Sequence, residues 1–222
     1  MKLVTIAKIT SGYTTKFGTP RQSGLIDATQ EIVFEPDFTD ENMLRGIEEY
    51  SHLWLIWGFS GIDSWRPTVR PPRLGGNKRV GVFATRSPYR PNPLGLTLVK
   101  LLGAKKLDGR LVLRVSGADL VDGTHIYDIK PYLPYVESKP CATGGFSDKV
   151  KEYHLSVEVK DATISEDIDP TTLNTIMDIL AQDPRPSYQD DDRVYSFEYG
   201  GYNIKFQVLD GVACVKEIKN DG

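Results

Sequence analysis

Residues 65–97 of this 222-residue chain read Trp65-Arg-Pro-Thr-Val-Arg-Pro-Pro-Arg-Leu-Gly-Gly-Asn-Lys-Arg-Val-Gly-Val-Phe-Ala-Thr-Arg-Ser-Pro-Tyr-Arg-Pro-Asn-Pro-Leu-Gly-Leu-Thr97. The stretch contains seven Arg or Lys residues, six of the chain's fourteen prolines and no acid, and the acid-free run extends over residues 64–107. Because proline restricts the backbone, such a loop loses little entropy when its cations meet a partner. The composition therefore predicts a rigid loop that binds an anion or a polyanion.

Charges of opposite sign are separated along the chain. The net charge of −3 argues weakly against nucleic-acid binding, but residues 161–192 hold nine acids against Arg185 alone. A local basic patch, rather than the sum over the chain, attracts a polyanion. The central stretch therefore remains a candidate surface for nucleic acid.

Several functional classes are excluded by missing motifs. Two cysteines without a CxxC pair and three scattered histidines predict no metal site, and they are typical of the reducing cytoplasm. The longest apolar run, residues 53–59, is far shorter than the roughly 20 residues that a membrane helix needs. No Rossmann, P-loop, zinc-protease or serine-hydrolase motif occurs. We expect a cytoplasmic protein with neither metal nor membrane association.

The first part of the chain is rich in strand signals. Residues 51–59 combine aromatic and branched side chains without alternation, which predicts a strand covered on both faces with Trp54 and Trp57 in the core. Asp108-Gly109 predicts a hairpin between residues 96–107 and 110–116. A short helix is predicted to be capped by Thr39 or Asp40 and to end at Tyr50. Residues 129–135 are predicted to be extended, because residues before proline avoid the helical region. The other predicted strands are residues 3–9, 31–34, 80–85 and 153–159.

The composition changes near residue 160. Asp169-Pro170 predicts the start of a helix over residues 171–182, because Asp caps helices and proline fits the first turn. Three strands follow, at residues 194–199, 202–209 and 212–218. We therefore predict a mainly β chain, with a barrel or sandwich in residues 1–160 and a small α+β domain in residues 161–222.

Two arginines between prolines are candidates for ligand binding. Arg86 and Arg90 each have the planar donors that pair with a carboxylate or phosphate. One of them could instead pair with an acid of the fold, such as Asp119, Asp122 or Asp128. Trp65, Tyr89 and Tyr188 are candidates for stacking on unpaired bases, although each could equally belong to the core, and the core is favoured for Trp65.

Five segments of the chain resemble the TsaA-like family: residues 65–77, Val82-Phe-Ala-Thr-Arg-Ser87, Arg90-Pro-Asn-Pro-Leu-Gly95, Leu120-Val-Asp-Gly-Thr124 and Asp128-Ile-Lys-Pro-Tyr-Leu-Pro134. Asp183-Pro-Arg-Pro-Ser-Tyr188 resembles the tail motif of the family's bacterial TrmO members. The resemblance implies a homodimeric β-barrel methyltransferase that uses S-adenosylmethionine. The implied reaction is N6-methylation of N6-threonylcarbamoyladenosine at position 37, in the anticodon stem-loop of a tRNA, with threonine tRNA expected.

The same resemblance implies a set of cofactor-binding residues. They are Arg21, Gln22, Ser23, Gly24, Leu25, Ser60, Gly61, Arg86, Leu96, Asp122, Gly123, Thr124, His125, Ile126 and Tyr127. Many family members have a bulkier polar pair at Ser60-Gly61 and a proline at His125. These departures argue against side-chain contacts at the three positions and leave backbone contacts open.

The N6 nitrogen of the implied substrate is a poor nucleophile until it loses a proton, so charge stabilisation would help the reaction. We predict that Arg86 or Arg90 supplies it, and the sequence identifies no general base. Predicted RNA contacts are Arg66, Arg70, Arg73, Tyr89, Asn92, Arg185 and Tyr188, although Pro184 and Pro186 alone would explain a helix-ending turn at the last two. The alternatives are a noncatalytic RNA- or nucleotide-binding module and methyl transfer to a small molecule.

Overall fold

The structure is a computed structural model that describes residues 2–71, 74, 77–149, 154–159, 164, 167–185 and 191–220. The strands are β1 Ala7–Thr10, β2 Thr29–Phe34, β3 His52–Gly58, β4 Thr68–Val69, β5 Val80–Gly81, β6 Leu94–Leu107, β7 Arg110–Ser116, β8 His125–Pro131, β9 Ser156–Glu158, β10 Tyr195–Tyr199, β11 Tyr202–Leu209 and β12 Val212–Asn220. The α-helices are α1 Pro134–Glu137 and α2 Pro170–Ala181, and short 3-10 turns occupy Glu41–Leu44, Ile47–Glu49, Val82–Ala84 and Gly145–Lys149. The predicted mainly β class is confirmed.

Six strands pair in the order β1-β2-β7-β6-β3-β8, and β8 pairs back to β1, so the sheet closes into a barrel. Along β3, Leu53, Leu55 and Trp57 point into the buried interior. Trp54 points the other way, and its indole N–H donates to Glu137 at 2.9 Å. The predicted burial of both strand faces and of Trp54 is therefore wrong, because a barrel strand has one interior and one exterior face.

The predicted hairpin is confirmed at the turn between β6 and β7. Asp108 and Gly109 both have positive φ, 48° and 79°, which the tight two-residue turn requires. The long strand β6 pairs with β3 through its first half and with β7 through its second. Its irregular register between Leu101 and Gly103 lets one strand serve both neighbours.

The second sheet has the order β10-β11-β12-β9 and packs against α2. The predicted helix and meander are confirmed. Asp169 accepts the backbone N–H groups of Thr171 and Thr172 at 2.9 and 3.0 Å. Because β9 pairs in parallel with β12, the second sheet begins before residue 160, and the division at that residue stays a prediction.

Four other predicted elements differ from the structure. The helix expected to end at Tyr50 is two 3-10 turns, because Gly46 adopts φ 82° between them. The first strand begins at Ala7, and the segment ending at Tyr135 enters α1 after β8. Residues 80–85 form β5 followed by a 3-10 turn, which leaves the side chain of Phe83 75% exposed.

The loop after β1 lies between the barrel and the second sheet. Tyr13 is buried there, forms a β-bridge with Tyr199 and contacts its ring at 5.1 Å between centroids. A Cβ at Gly12 would lie 2.7 Å from the Tyr199 ring, so only glycine allows this approach. This packing fixes the path of the loop that leads to Arg21 and Gln22.

Candidate functional site

A cavity of about 550 Å³ opens at one end of the barrel. Neighbouring strands are antiparallel, so the end of β3, the start of β6, the end of β7 and the start of β8 all lie at this end. The loop after β1 and the segment that follows the 3-10 turn at Val82–Ala84 complete the wall. Strand pairing in the barrel therefore brings together residues from five stretches of the sequence, which lie within residues 16–22, 54–60, 85–90, 94–96 and 119–124.

A series of hydrogen bonds crosses the wall of the cavity. The Trp57 indole N–H donates to Thr97 Oγ1 at 2.9 Å, and the Thr97 hydroxyl donates to Asp119 Oδ1 at 2.7 Å. A Cβ at Gly95 would lie 2.1 Å from the Trp57 ring, so glycine lets the indole lie against β6. These contacts hold the Asp119 carboxylate in one orientation at the cavity.

The Asp119 carboxyl group has a shifted pKa. Burial raises the pKa of its carboxyl group above the ordinary value, while the Thr97 hydroxyl, the Arg86 guanidinium and the Ser23 backbone amide act in the opposite direction. The net result is a raised pKa for the Asp119 carboxyl group. A carboxylate with a raised pKa holds a proton more readily, which is a frequent property of functional acids and bases.

Arg86 lies where the cavity meets a second depression. Its Nη1 donates to the side-chain oxygen of Gln22, and both residues line both spaces. Arg21 lies beside them, and its Nη2 donates to the backbone carbonyls of Asp183 and Arg185 at 2.8 and 2.6 Å. The loop after β1 is thereby joined to the turn that follows α2.

The second depression is a groove of about 1290 Å³. Its wall, within the described residues, contains no Asp or Glu and seven basic residues: Lys16, Arg21, Arg66, Arg70, Arg79, Arg86 and Arg185. Arg185 is buried and its charge is paired with Asp183, so the other six supply the positive charge of the groove. Phe83 and Tyr89 also line it, and the Arg66 guanidinium lies 4.8 Å from the centroid of the Tyr89 ring. A groove with this charge and these rings suits a polyanion that has unpaired aromatic bases.

Arg90 supports the segment that presents Phe83. Its Nη1 donates to the carbonyls of Val82 and Thr85 at 3.2 and 2.7 Å. Its guanidinium also lies 5.4 Å from the centroid of the Phe83 ring. The backbone contacts assign Arg90 a bracing role that the sequence did not suggest.

Two family models match the chain: the tRNA-methyltransferase O N-terminal domain over residues 8–138 and the TrmO C-terminal domain over residues 152–221. The chain is 40% identical over 216 residues to the tRNA (adenine(37)-N6)-methyltransferase of Escherichia coli (strain K12). The aligned region covers 92% of this chain and 92% of that relative. The chain belongs to the TrmO family. The predicted family resemblance is confirmed.

Two further comparisons agree with membership of the TrmO family. The chain is 40% identical to a putative S-adenosylmethionine-dependent methyltransferase, RcsF, of Pseudomonas aeruginosa, over 83% of this chain and 81% of that relative. It also matches a crystal structure of TrmO from Pseudomonas aeruginosa with a TM-score of 0.76 and 29% identity, over 99% of this chain and 98% of that one. The similarity to this TrmO structure therefore extends over both sheets.

Of the cofactor residues predicted from the family resemblance, six line the cavity: Arg21, Gln22, Ser60, Arg86, Leu96 and Thr124. The other nine are described by the structure but lie outside this wall: Ser23, Gly24, Leu25, Gly61, Asp122, Gly123, His125, Ile126 and Tyr127. Ile126 is fully buried in the barrel core. The His125 ring is engaged with Thr5 at 3.0 Å, and Asp122 accepts the backbone N–H of Ser11.

Only some of the predicted RNA-contacting residues lie in the groove wall. Arg66, Arg70 and Tyr89 line the groove, Asn92 is exposed outside its wall, and Arg73 and Tyr188 lie outside the described residues. Arg185 is only 6% exposed, and its Nε and Nη2 donate to the Asp183 carboxylate at 2.9 and 3.0 Å. The prediction that Arg185 touches RNA requires an exposed side chain, so the structure corrects it to a buried ion pair.

Three residues of the site were missed by sequence reasoning: Lys16, Phe83 and Asp119. Asp119 was considered only as a partner for arginine, because no local pattern shows that Thr97 lies beside it. Phe83 was taken as part of a strand. Trp65, for which the core was favoured, is instead 56% exposed, so that prediction is wrong.

In the described ranges, no helix has the length and apolar character needed to cross a membrane. Among the same residues, no group of three or more His, Cys, Asp or Glu side chains is placed to hold a metal ion.

Proposed function

We propose that the chain transfers a methyl group from S-adenosylmethionine to N6 of N6-threonylcarbamoyladenosine at position 37 of a tRNA. The observation that carries this proposal is the wall that the cavity shares with the basic groove. Six residues line both spaces: Lys16, Arg21, Gln22, Thr85, Arg86 and Pro88. A small cofactor in the cavity and a nucleic acid in the groove would meet at this wall. The family relationship supports the same reaction.

The cavity suits S-adenosylmethionine in size and chemistry. Small-molecule sites span roughly 300–1,000 Å³, and the cofactor has an adenine, a carboxylate and cationic groups. The wall offers the Trp54 and Trp57 rings, the Arg86 guanidinium and the Asp119 carboxylate. When bound, the cofactor supplies a methyl group activated by a sulfonium.

Arg86 is the cation that we assign to the chemistry. The nucleophilic nitrogen is part of a urea-like group, and negative charge develops there as its proton leaves. A fixed guanidinium at the meeting point of the two spaces would stabilise that charge. Arg90 is held by two backbone carbonyls, so it would act indirectly by positioning the same segment.

We further infer a cytoplasmic homodimer that binds the anticodon stem-loop, with a barrel domain and a small C-terminal domain that adds to the RNA surface. Leu96 supports a dimer, since its side chain is 55% exposed although it lines the cavity. A second subunit or the cofactor would cover this apolar surface. Threonine tRNA is the substrate that we expect, and no resident metal is required by the proposal.

Transfer of a labelled methyl group from S-adenosylmethionine tests the proposed function. We expect transfer to threonine tRNA that carries the threonylcarbamoyl group and none to the same tRNA without it. Calorimetric binding of the cofactor without any transfer would instead support a noncatalytic binding module. Transfer to free N6-threonylcarbamoyladenosine at the same rate as to tRNA would favour a small-molecule methyltransferase.

Phe83→Ala is expected to raise the KM for modified tRNA about 10-fold, because stacking on one unpaired base contributes roughly 1–3 kcal/mol. Phe83 lines the groove and lies outside the cavity wall, so the dissociation constant of S-adenosylmethionine should stay unchanged. Steady-state kinetics with tRNA as the varied substrate measure the effect, and Phe83→Trp should retain the wild-type KM.

Tyr135→Ala is the matched control. Tyr135 is 84% exposed and lies outside the groove wall, so its loss removes an exposed ring without removing a groove contact. Equal effects of the two alanine variants would contradict a stacking role for Phe83.

A further inference from the structure

We propose that Asp119 is the general base of this reaction, accepting the N6 proton as the methyl group is transferred. The inference deepens the proposed function and rests on it. It assigns a catalytic role to a residue that the motif reasoning treated only as a structural partner for arginine. The argument depends on how Asp119 is held, on the charges that face it and on the proton that the reaction must release.

The hydrogen bonds around Asp119 have only one possible direction. An indole nitrogen can donate but cannot accept, so the Trp57 N–H donates to Thr97 Oγ1. The Thr97 hydroxyl must then direct its own proton to Asp119 Oδ1, 2.7 Å away. Asp119 is thus held as an acceptor at one oxygen while its residue lines the cavity. This is the arrangement of an oriented base, whose geometry is set by a neighbour that is itself oriented.

Charged and titratable groups face Asp119 from two directions. Arg86 approaches from the segment after the 3-10 turn and favours the charged carboxylate. Tyr13 approaches from the loop after β1, is buried and stays neutral because burial raises its pKa. Lys16 and Arg21 line the same cavity from that loop. Burial outweighs the favourable contacts and raises the pKa of Asp119, which makes it a stronger base than an exposed carboxylate.

The step balances without another reactant. The N6–H bond breaks and its proton moves to an Asp119 carboxylate oxygen, while the N6 electron pair forms the new N–CH₃ bond. The S–CH₃ bond of the cofactor breaks, and its electron pair remains on sulfur. The products are the methylated nucleoside, S-adenosylhomocysteine and protonated Asp119, which returns its proton to water.

A second role for the same carboxylate makes a different prediction. If Asp119 served as the counter-charge for the cationic cofactor, its neutralisation would weaken cofactor binding. A general base acts on the nucleophile, so its neutralisation lowers turnover and leaves cofactor affinity unchanged. Measurement of both quantities on one variant separates the two roles.

Asp119→Asn keeps the shape of the side chain and an oxygen that accepts from Thr97, but it removes the base. We expect kcat on modified tRNA to fall about 100-fold or more, with the calorimetric dissociation constant of S-adenosylmethionine within about threefold of wild type. The wild-type decline of kcat/KM on the acid side should be absent in the variant. Asp108→Asn is the matched control, since Asp108 is an exposed carboxylate in the β6–β7 turn and Asn-Gly suits that turn.

The variant also has a readout that needs no cofactor. A carboxyl group whose pKa is raised by folding contributes most stability at low pH and loses that contribution as pH rises through the folded pKa. Asp119→Asn should therefore melt at a higher temperature than wild type at pH 8, and the difference should vanish as the pH falls below the unfolded pKa of about 4.

Three results would overturn the assignment. They are wild-type turnover in Asp119→Asn, a cofactor dissociation constant that rises as much as turnover falls, and a lower melting temperature of the variant at pH 8. A wild-type protein that transfers no methyl group to modified tRNA would instead overturn the proposed function, and the assignment of a base with it.

Discussion

Arg86→Ala should lower kcat/KM for methyl transfer to modified tRNA by about 100- to 1,000-fold, the usual effect of removing one donor that stabilises developing charge. Arg86 lines both the cavity and the groove and bonds to Gln22. Its loss would remove positive charge at the meeting point of the two ligands and the hydrogen bond that the Gln22 side-chain oxygen accepts. Steady-state and single-turnover kinetics would locate the loss in the chemical step.

Two control variants sharpen this experiment. Arg86→Lys keeps the charge but loses the planar fork that meets Gln22, so an intermediate loss is expected. Arg110→Ala removes an exposed arginine at the start of β7, outside the cavity and groove walls, and should leave the kinetics unchanged. If the lysine variant were as inactive as the alanine variant, geometry rather than charge would be the contribution of Arg86. Full activity of Arg86→Ala would remove the residue from the mechanism.

Asp183→Ala should lower the free energy of unfolding by about 3–5 kcal/mol, because it removes one partner of a buried ion pair. Both Asp183 and Arg185 are buried, and two hydrogen bonds join their side chains. Asp183 also adopts φ 49°, a conformation that Asp tolerates better than Ala. Chemical denaturation monitored by circular dichroism measures the loss.

The double variant Asp183→Ala, Arg185→Met tests the origin of that loss. Since it removes both buried charges, it should be less destabilised than Asp183→Ala alone. Glu41→Ala breaks an exposed pair with Lys106 and should leave the unfolding midpoint almost unchanged. A double variant that is less stable than Asp183→Ala would show that packing, not the unpaired charge, dominates.

The Asp183–Arg185 ion pair has a functional consequence beyond stability. Arg21 donates to the backbone carbonyls of both Asp183 and Arg185, and Arg21 lines the cavity and the groove. The turn after α2 therefore helps to hold the loop that forms part of the proposed cofactor site. Loss of this turn is expected to weaken the site as well as the C-terminal part of the fold.

Local chemistry explains why some elements could be predicted from sequence. The β6–β7 hairpin follows from Asp108-Gly109, whose residues tolerate positive φ. The start of α2 follows from Asp169, whose side chain satisfies two free N–H groups. The predicted helix ending at Tyr50 is wrong because Gly46 interrupts it, and the cap at its start does not reveal that break.

The sequence by itself determined the family, the turns and caps, and the acid-free basic stretch, because motifs, local dihedral preferences and charge density are properties of neighbouring residues. Tertiary structure decided which of these residues share a site. Trp57 meets Thr97 across 40 residues and Thr97 meets Asp119 across 22, because the pairing of β6 with both β3 and β7 makes them neighbours. Packing likewise turned Phe83 outward and Arg185 inward, since side-chain burial depends on long-range contacts that no local pattern contains.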